Sequence, residues 1–136
     1  MRRRLLILIV KYNSEKSIIN LISKIPDKIT KNYEIEILIV NDSSTKNKFV
    51  NEQVFYKNQH SPYIINYLLS PANHGYGGKQ KIGFNYAIDN NFEILAFLNG
   101  EGLLSPQLLI ELLMPIKDGA ADVVIGSRML VNWKSI

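Results

Sequence analysis

Apolar residues occur in short, nearly unbroken runs, separated by stretches in which they recur at helical spacing. The runs have strand length and cover Leu5–Val10, Glu34–Val40, Tyr63–Leu69, Ile94–Leu98 and Asp122–Ile125. A continuous apolar run of this length is typical of a parallel strand that is buried on both faces of its sheet. The pattern therefore predicts a β-sheet at the centre of the molecule.

Helix signals lie between these runs. Ser14 is a candidate N-cap for a first helix, which should end before Pro26. Apolar and small residues at helical spacing predict a second helix over Lys79–Asn90, packed closely on the sheet. A third helix should have Pro106 at its first position, where proline is favoured, and should end or kink at Pro115.

Strands alternate with helices along the whole chain. That order predicts an α/β fold, a three-layer sandwich with a mostly parallel sheet and helices on both faces. Ligands of such sheets bind beyond the carboxyl ends of the strands. The candidate site therefore consists of the loops that follow strands, at residues 11–13, 41–45, 70–78, 99–102 and 126–128.

The composition excludes several kinds of functional site. The 136 residues fit one domain and include no cysteine, which excludes disulfides, thiolate zinc sites and cysteine nucleophiles. The net charge of +4 is spread along the chain and is not interleaved with aromatics, so nucleic-acid binding is not favoured. A solvated basic surface explains this charge most simply, although it would also suit an anionic ligand. No apolar run approaches the ~20 residues that a membrane-spanning helix needs.

The loop residues resemble the motifs of a known family. In chain order they read Val10-Lys11-Tyr12-Asn13-Ser14-Glu15, Val40-Asn41-Asp42-Ser43-Ser44-Thr45, Asn73-His74-Gly75-Tyr76-Gly77-Gly78, Phe97-Leu98-Asn99-Gly100-Glu101-Gly102 and Val124-Ile125-Gly126-Ser127-Arg128. This order is similar to family-2 glycosyltransferases of the dolichol-phosphate mannosyltransferase-like and polyprenyl-phosphate branch. The resemblance runs from about Leu5 to Leu130. It implies the Rossmann-like fold of nucleotide-diphospho-sugar transferases, known as GT-A.

The resemblance implies a nucleotide site at the ends of the first two strands. Asp42 matches an aspartate that binds a base N–H of UDP or GDP, and a carboxylate is a pure acceptor suited to that contact. Asn41 stands where the family has a second aspartate. Tyr12 matches a residue beside the base, where an aromatic face stacks well. From the residues alone, Asp42 could instead stabilise its own turn, and Tyr12 could be a core residue at a strand end.

The glycine-rich stretch matches the family's phosphate-binding helix entry. Gly75, Gly77 and Gly78 would let a diphosphate approach the backbone N–H groups at a helix start. Lys79 lies where the helix dipole does not favour a cation, so phosphate contact and a solvated charge both remain open. Arg128 matches an arginine near phosphates, for which a guanidinium is suited. The glycines also fit a flexible turn, and Arg128 a surface ion pair.

The family's Asp-x-Asp turn holds Mg²⁺ or Mn²⁺ through oxygen ligands. The matching residues here are Asn99 and Glu101. Asn99 keeps an oxygen ligand without the charge, and Glu101 keeps the charge on a longer side chain. The resemblance therefore implies a site for Mg²⁺ or Mn²⁺ with weakened affinity, and Asn99 could instead simply close the turn at Gly100.

Two hypotheses follow for function. The chain could transfer a hexose from a UDP- or GDP-sugar to a lipid phosphate or saccharide, in the cytoplasm or at the inner face of a membrane. It could instead be a degenerate, non-catalytic binding or assembly module. We expect residues 1–136 to form one nucleotide-sugar-binding domain without the family's acceptor half, so no catalytic residue is assigned. An unfinished sheet edge would favour a homo-oligomer.

Overall fold

A computed structural model of the chain describes residues 2–10, 15–41, 62–69, 75–99 and 106–124. The strands are β1 (Arg3–Val10), β2 (Tyr33–Asn41), β3 (Ile64–Leu69) and β4 (Ile94–Asn99). The α-helices are α1 (Glu15–Ser23), α2 (Gly75–Asp89) and α3 (Leu109–Lys117). Short 3₁₀ helices cover Asp27–Lys31 and Pro106–Leu108.

The strands described here form one parallel sheet in the order β3-β2-β1-β4. In its middle, Ile7 pairs with Ile37 on one side and with Ala96 on the other. Residues Leu5–Val10 of β1 have no exposed surface. The apolar run of β1 thus forms a strand covered on both faces, and the predicted parallel α/β sheet is confirmed.

One face of the sheet, here called the α1 face, packs against α1 and α3. Alternate side chains of a strand point to the same face. The buried cluster on this face includes Leu5, Ile7 and Ile9 of β1, Ile35, Ile37 and Ile39 of β2, Tyr67 of β3, Ile18, Leu21 and Ile22 of α1, and Leu109 and Leu113 of α3. The spacing of these residues explains why α1 and α3 form as amphipathic helices on this side.

The opposite face, here called the α2 face, packs against α2. Its buried residues are Leu6, Leu8, Leu38, Val40 and Ala87. Gly83 of α2 lies directly on Leu8, since a Cβ built on Gly83 would be 2.3 Å from Leu8 Cδ2. The absence of a side chain at Gly83 therefore lets α2 approach the sheet closely. Helices on both faces confirm the predicted three-layer sandwich.

A polar network ties α2 to β2 and β3 on the α2 face. The Tyr86 hydroxyl donates a hydrogen bond of 2.5 Å to Glu36 Oε2, and Asn66 Nδ2 donates one of 3.1 Å to the Tyr86 oxygen. Burial, followed by the hydrogen bond to Glu36, raises the pKa of Tyr86 to about 12. Nearby, the Arg4 guanidinium lies 4.2 Å from the centre of the Phe92 ring.

The start of α2 differs from the prediction, and a short 3₁₀ helix before β2 was not predicted. The sequence predicted a loop through Gly78, but α2 begins at Gly75. Glycine is unfavourable inside a helix, yet the first-turn N–H groups have no intrahelical partner there, so the cost at the start is smaller. The 3₁₀ helix Asp27–Lys31 was not predicted. Of its five residues only Ile29 is buried, so the segment has no periodic pattern of apolar residues.

Two predictions for α3 and one for the segment after it also change. Pro106 begins a 3₁₀ turn before α3, and α3 continues past Pro115 to Lys117. The Pro115 carbonyl accepts a hydrogen bond of 2.8 Å from the backbone N–H of Ala120, beyond the end of the helix. Residues 122–124, predicted as part of a strand, are not in a strand, and Val123 is 75% exposed. Apolar character alone does not make a strand, which also needs the hydrogen bonds of a neighbouring strand.

Replacing Gly83 with alanine should destabilise the fold. Alanine in a helix interior normally stabilises relative to glycine by ~1 kcal/mol, but overpacking costs ~1–3 kcal/mol. The added Cβ would meet Leu8 Cδ2 at 2.3 Å and Cδ1 at 2.7 Å, so we expect overpacking of ~2–3 kcal/mol and a net loss of ~1–2 kcal/mol in urea unfolding. The control is Asn85→Ala on the exposed side of α2, which should change stability by less than ~0.5 kcal/mol. A Gly83→Ala protein as stable as the parent would contradict the close packing on Leu8.

The Tyr86 network should make stability depend on alkaline pH. The unfolded chain ionises this tyrosine near its ordinary pKa of 10.0, whereas the folded protein keeps it neutral until about pH 12. Its contribution is therefore complete below pH 10 and lost between pH 10 and 12. Urea unfolding from pH 8 to 12 should show a steeper decline for the parent than for Tyr86→Phe. Parallel curves for the two proteins would disprove the shift.

Candidate functional site

The carboxyl ends of β1, β2 and β4 form one row at the edge of the sheet. Val10 pairs with Val40 on one side and with Asn99 on the other. Because the strands are parallel, the chain leaves each of them at this same edge, here called the carboxyl edge. Strand order also reverses at β1, since β2 and β3 lie to one side of it and β4 to the other. Ligands of open α/β sheets bind at such a position.

Several predicted site residues follow directly from this edge in the sequence. Tyr12 comes two residues after Val10, Asp42 comes directly after β2, and Glu101 comes two residues after β4. These three and Arg128 lie outside the described residues. Their assignment as site residues stays a prediction.

The amino end of α2 also belongs to the carboxyl edge. The helix connects β3 to the parallel strand β4, so it runs back along the sheet and starts near the strands' carboxyl ends. The predicted residues Gly75, Gly77 and Gly78 form its first turn. Backbone N–H groups in a first turn have no intrahelical partner and, together with the helix dipole, favour an anion.

Lys79 is enclosed, which the sequence did not predict. Its exposure is 2%, and it is the buried charged residue among those described. It lies four residues before Gly83, and therefore one turn nearer the carboxyl edge on the sheet-facing side of α2. Gly83 covers Leu8 of β1, so Lys79 lies about one helical pitch, ~5.4 Å, from that contact in the direction of the start of α2. The solvated-charge interpretation of Lys79 is therefore wrong.

A buried lysine needs polar surroundings or an ionic partner, because burial disfavours its charged form. In the sequence, Lys79, Gly83 and Ala87 occupy the helical spacing of the stripe that packs on the sheet. That spacing was the available signal for the enclosure of Lys79.

Asn41, considered in the sequence only as a missing carboxylate, makes a specific contact. Its side-chain amide Nδ2 donates a hydrogen bond of 2.9 Å to the hydroxyl oxygen of Tyr67 on β3. Tyr67 is 4% exposed, and the bond is partly buried. Asn41 is the last residue of β2, so the contact fixes the point from which the chain continues to Asp42.

The predicted metal site is described only at its first residue. Asn99 ends β4 in the row with Val10, which places its backbone at the carboxyl edge. In the described part of the chain, no three histidine, aspartate or glutamate residues are grouped closely enough to hold a metal ion. A divalent ion bound through Asn99 and Glu101 therefore stays a prediction about the edge.

A helix that crosses a bilayer needs about 20 predominantly apolar residues. Among the described helices, none is both long enough and apolar enough to cross a bilayer.

Comparison with known proteins agrees with this architecture. Residues 6–135 match the family described as Glycosyl transferase family 2. A relative is the undecaprenyl-phosphate mannosyltransferase of Micrococcus luteus, which is 26% identical over 135 residues. That alignment covers 96% of this chain and 52% of the relative, so the chain spans about half the relative's length. Since the family match extends over nearly the whole sequence and the sheet has the expected α/β form, this chain belongs to glycosyl transferase family 2.

Proposed function

We propose that the carboxyl edge is the donor site of a hexosyltransferase that uses a UDP- or GDP-sugar. The observation that carries the proposal is the enclosure of Lys79 on the sheet-facing side of α2, one helical turn after the start of this helix at Gly75. In a member of this family, a cation and a helix start at the strands' carboxyl ends suit a nucleotide diphosphate.

The base lies next to the ends of β1 and β2 in this proposal. The Asp42 carboxylate accepts a hydrogen bond from a base N–H, and Tyr12 stacks on the ring. Asp42 is joined directly to Asn41, which Tyr67 holds in place. The base binds more tightly when the backbone that carries the carboxylate is already fixed, because less conformational freedom is lost on binding.

The diphosphate lies at the amino end of α2. The N–H groups of Gly75, Gly77 and Gly78 donate to its oxygens, and the Lys79 ammonium balances part of its charge. Arg128 supplies a further contact to a phosphate. A ligand without phosphates loses all of these contacts, so a nucleoside measures the contribution of the base site alone.

Asn99 and Glu101 would hold Mg²⁺ or Mn²⁺ beside the diphosphate, through one amide oxygen and one carboxylate. Oxygen ligands of this type suit either ion, but a single ionised carboxylate gives weaker binding than two. When bound, such an ion neutralises charge on the departing nucleotide. The enclosed Lys79 contributes positive charge to the same edge, whether or not an ion is present.

The acceptor in this proposal is a polyprenyl phosphate. The relative from Micrococcus luteus is named an undecaprenyl-phosphate mannosyltransferase, and undecaprenyl phosphate is a polyprenyl phosphate. A phosphate acceptor is already ionised near pH 7, so its oxygen attacks the anomeric carbon without a general base while the bond to the diphosphate breaks. A saccharide hydroxyl would need a base. A polyprenyl acceptor would bring the protein to the inner face of a membrane.

A second candidate is a non-catalytic module that binds nucleotide sugars or assembles with another protein. The specific observation in its favour is that both acidic motifs are one carboxylate short, at Asn41 and at Asn99. The transferase requires both nucleotide binding and sugar transfer, whereas a binding module requires only nucleotide binding and an assembly module requires neither. Release of UDP or GDP from a donor in the presence of polyprenyl phosphate separates them.

Calorimetric titration with UDP and GDP, with and without Mn²⁺, tests the donor site. We expect one of the two nucleotides to bind, and Asp42→Ala to weaken that binding by at least about tenfold, because a hydrogen bond to a charged acceptor is lost. Asp42→Asn retains an acceptor oxygen and should lose less. If neither nucleotide binds at millimolar concentration, the proposed donor site is wrong.

A matched pair of lysine variants tests the charge at the diphosphate. Lys79→Met should weaken UDP or GDP binding by about tenfold and leave the phosphate-free nucleoside unaffected, because the ammonium acts on the diphosphate. Lys81→Met, which removes an exposed charge from the same helix, should change both by less than about twofold. Equal losses in the two variants would show that only general charge matters.

A further inference from the structure

We propose that Asn41 and Tyr67 are positioning residues that orient Asp42 towards the nucleotide base. The inference rests on the proposed function, because it assigns a role to the hydrogen bond only if Asp42 contacts the base. In this proposal Asn41 has a role of its own as an uncharged hydrogen-bond donor, and is more than the loss of a carboxylate.

The contact is a diagonal pair across two neighbouring strands. Asn41 pairs in register with Leu69, and Tyr67 precedes Leu69 by two residues on β3. Side chains two residues apart share a face, so Tyr67 extends along the α1 face towards Asn41. The amide of Asn41 then donates to the phenol oxygen at 2.9 Å.

Tyr67 is a rigid support for this bond. It is 4% exposed and belongs to the buried cluster of the α1 face, together with Ile37 and Ile39 of β2. A ring packed in a dense core keeps a single rotamer, so its hydroxyl stays at one place. A side-chain amide held by such a hydroxyl loses most of its own rotational freedom.

The bond lies where backbone pairing along β2 ends. Asn41 is the last residue of β2 and of its ladder with β3. The next residue, Asp42, follows after one peptide bond. Fixing the Asn41 side chain therefore restricts the direction in which the chain leaves the sheet. Misplacement of a contact group by about 1 Å is enough to weaken a directional interaction.

An amide at this position has an electrostatic advantage over a carboxylate. Asn41 donates to the phenol oxygen and carries no charge, whereas an aspartate could only accept from the phenol and would add a negative charge to a site for an anionic ligand. Asn41 thus holds the end of β2 without repelling the ligand. This explains why the position beside Asp42 can be neutral in a working donor site.

Tyr33 provides a matched control for Tyr67. It also lies on the sheet and is 5% exposed. Within the described residues its buried hydroxyl has no hydrogen-bond partner. Tyr33→Phe and Tyr67→Phe therefore each remove one buried hydroxyl oxygen, but only the second removes the contact to Asn41.

The test measures calorimetric binding of UDP and GDP, and of uridine and guanosine, to the full chain and its variants. Tyr67→Phe and Asn41→Ala should each raise the Kd for the nucleotide that binds by about fivefold to tenfold, and the double variant should lose no more than either one. Tyr33→Phe should change the Kd by less than about twofold. Thermal unfolding of each variant verifies that it is folded at the titration temperature.

The conservative variant Asn41→Asp separates position from charge. The Tyr67 hydroxyl can donate to the new carboxylate, so nucleoside binding should be retained, while the added charge should weaken diphosphate binding by about threefold or more. A merely structural contact would make the two ligands respond alike.

Asp42 distinguishes this inference from the proposed function itself. In an Asp42→Ala background, Tyr67→Phe should have no further effect on binding, because the two residues act through one contact. The inference is overturned if Tyr67→Phe behaves like Tyr33→Phe, or if its effect persists unchanged in that background. A parent protein that binds neither nucleotide, or an Asp42→Ala variant that binds normally, would overturn the proposed function instead.

Discussion

Burial of Leu5–Val10 on both faces of the sheet determines how the other elements of the fold are arranged. A strand with apolar side chains on both faces excludes water only between two helical layers, and its backbone groups need strands on both sides. In this chain α2 covers one face through the contact of Gly83 with Leu8, while α1 and α3 cover the other. Pairing with β2 and β4 then satisfies the backbone of β1 on both sides.

That constraint also determines where chemistry can occur. Because β1 is central and parallel to its neighbours, Val10, Val40 and Asn99 end in one row, and α2 begins at the same edge. Polar groups are concentrated there for a physical reason, since the interior of the sheet cannot accommodate them without partners. The buried Lys79 and the bond between Asn41 and Tyr67 show how such groups are held at the limit of the apolar core.

The sheet and the sides of its helices could be predicted because they depend on local patterns. The apolar run of β1 and the helical spacing around Ile18 are visible over a few residues. The contact of Asn41 with Tyr67 could not be predicted in this way, because 26 residues separate the two and their alignment depends on strand register. The start of α2 at Gly75 was missed, because glycine-rich sequences are equally compatible with a turn.

The candidate site residues also differ in how far the sequence could predict them. The places of Gly75–Lys79 and Asn99 at the carboxyl edge follow from the order of strands and helices. The enclosure of Lys79 follows from packing of the whole of α2 against β1, which local charge did not reveal. The roles of Tyr12, Asp42, Glu101 and Arg128 rest on family resemblance and stay predictions.

Binding of a nucleotide diphosphate at the carboxyl edge can be mapped by NMR of the backbone amides during titration with UDP and GDP. We expect the largest shifts in amide resonances at Val10, Asn41, Asn99 and Gly75–Lys79. Amides at the opposite edge, such as those of Tyr33 and Ile94, should remain nearly unchanged. Shifts concentrated at that opposite edge, or none with either nucleotide, would contradict it.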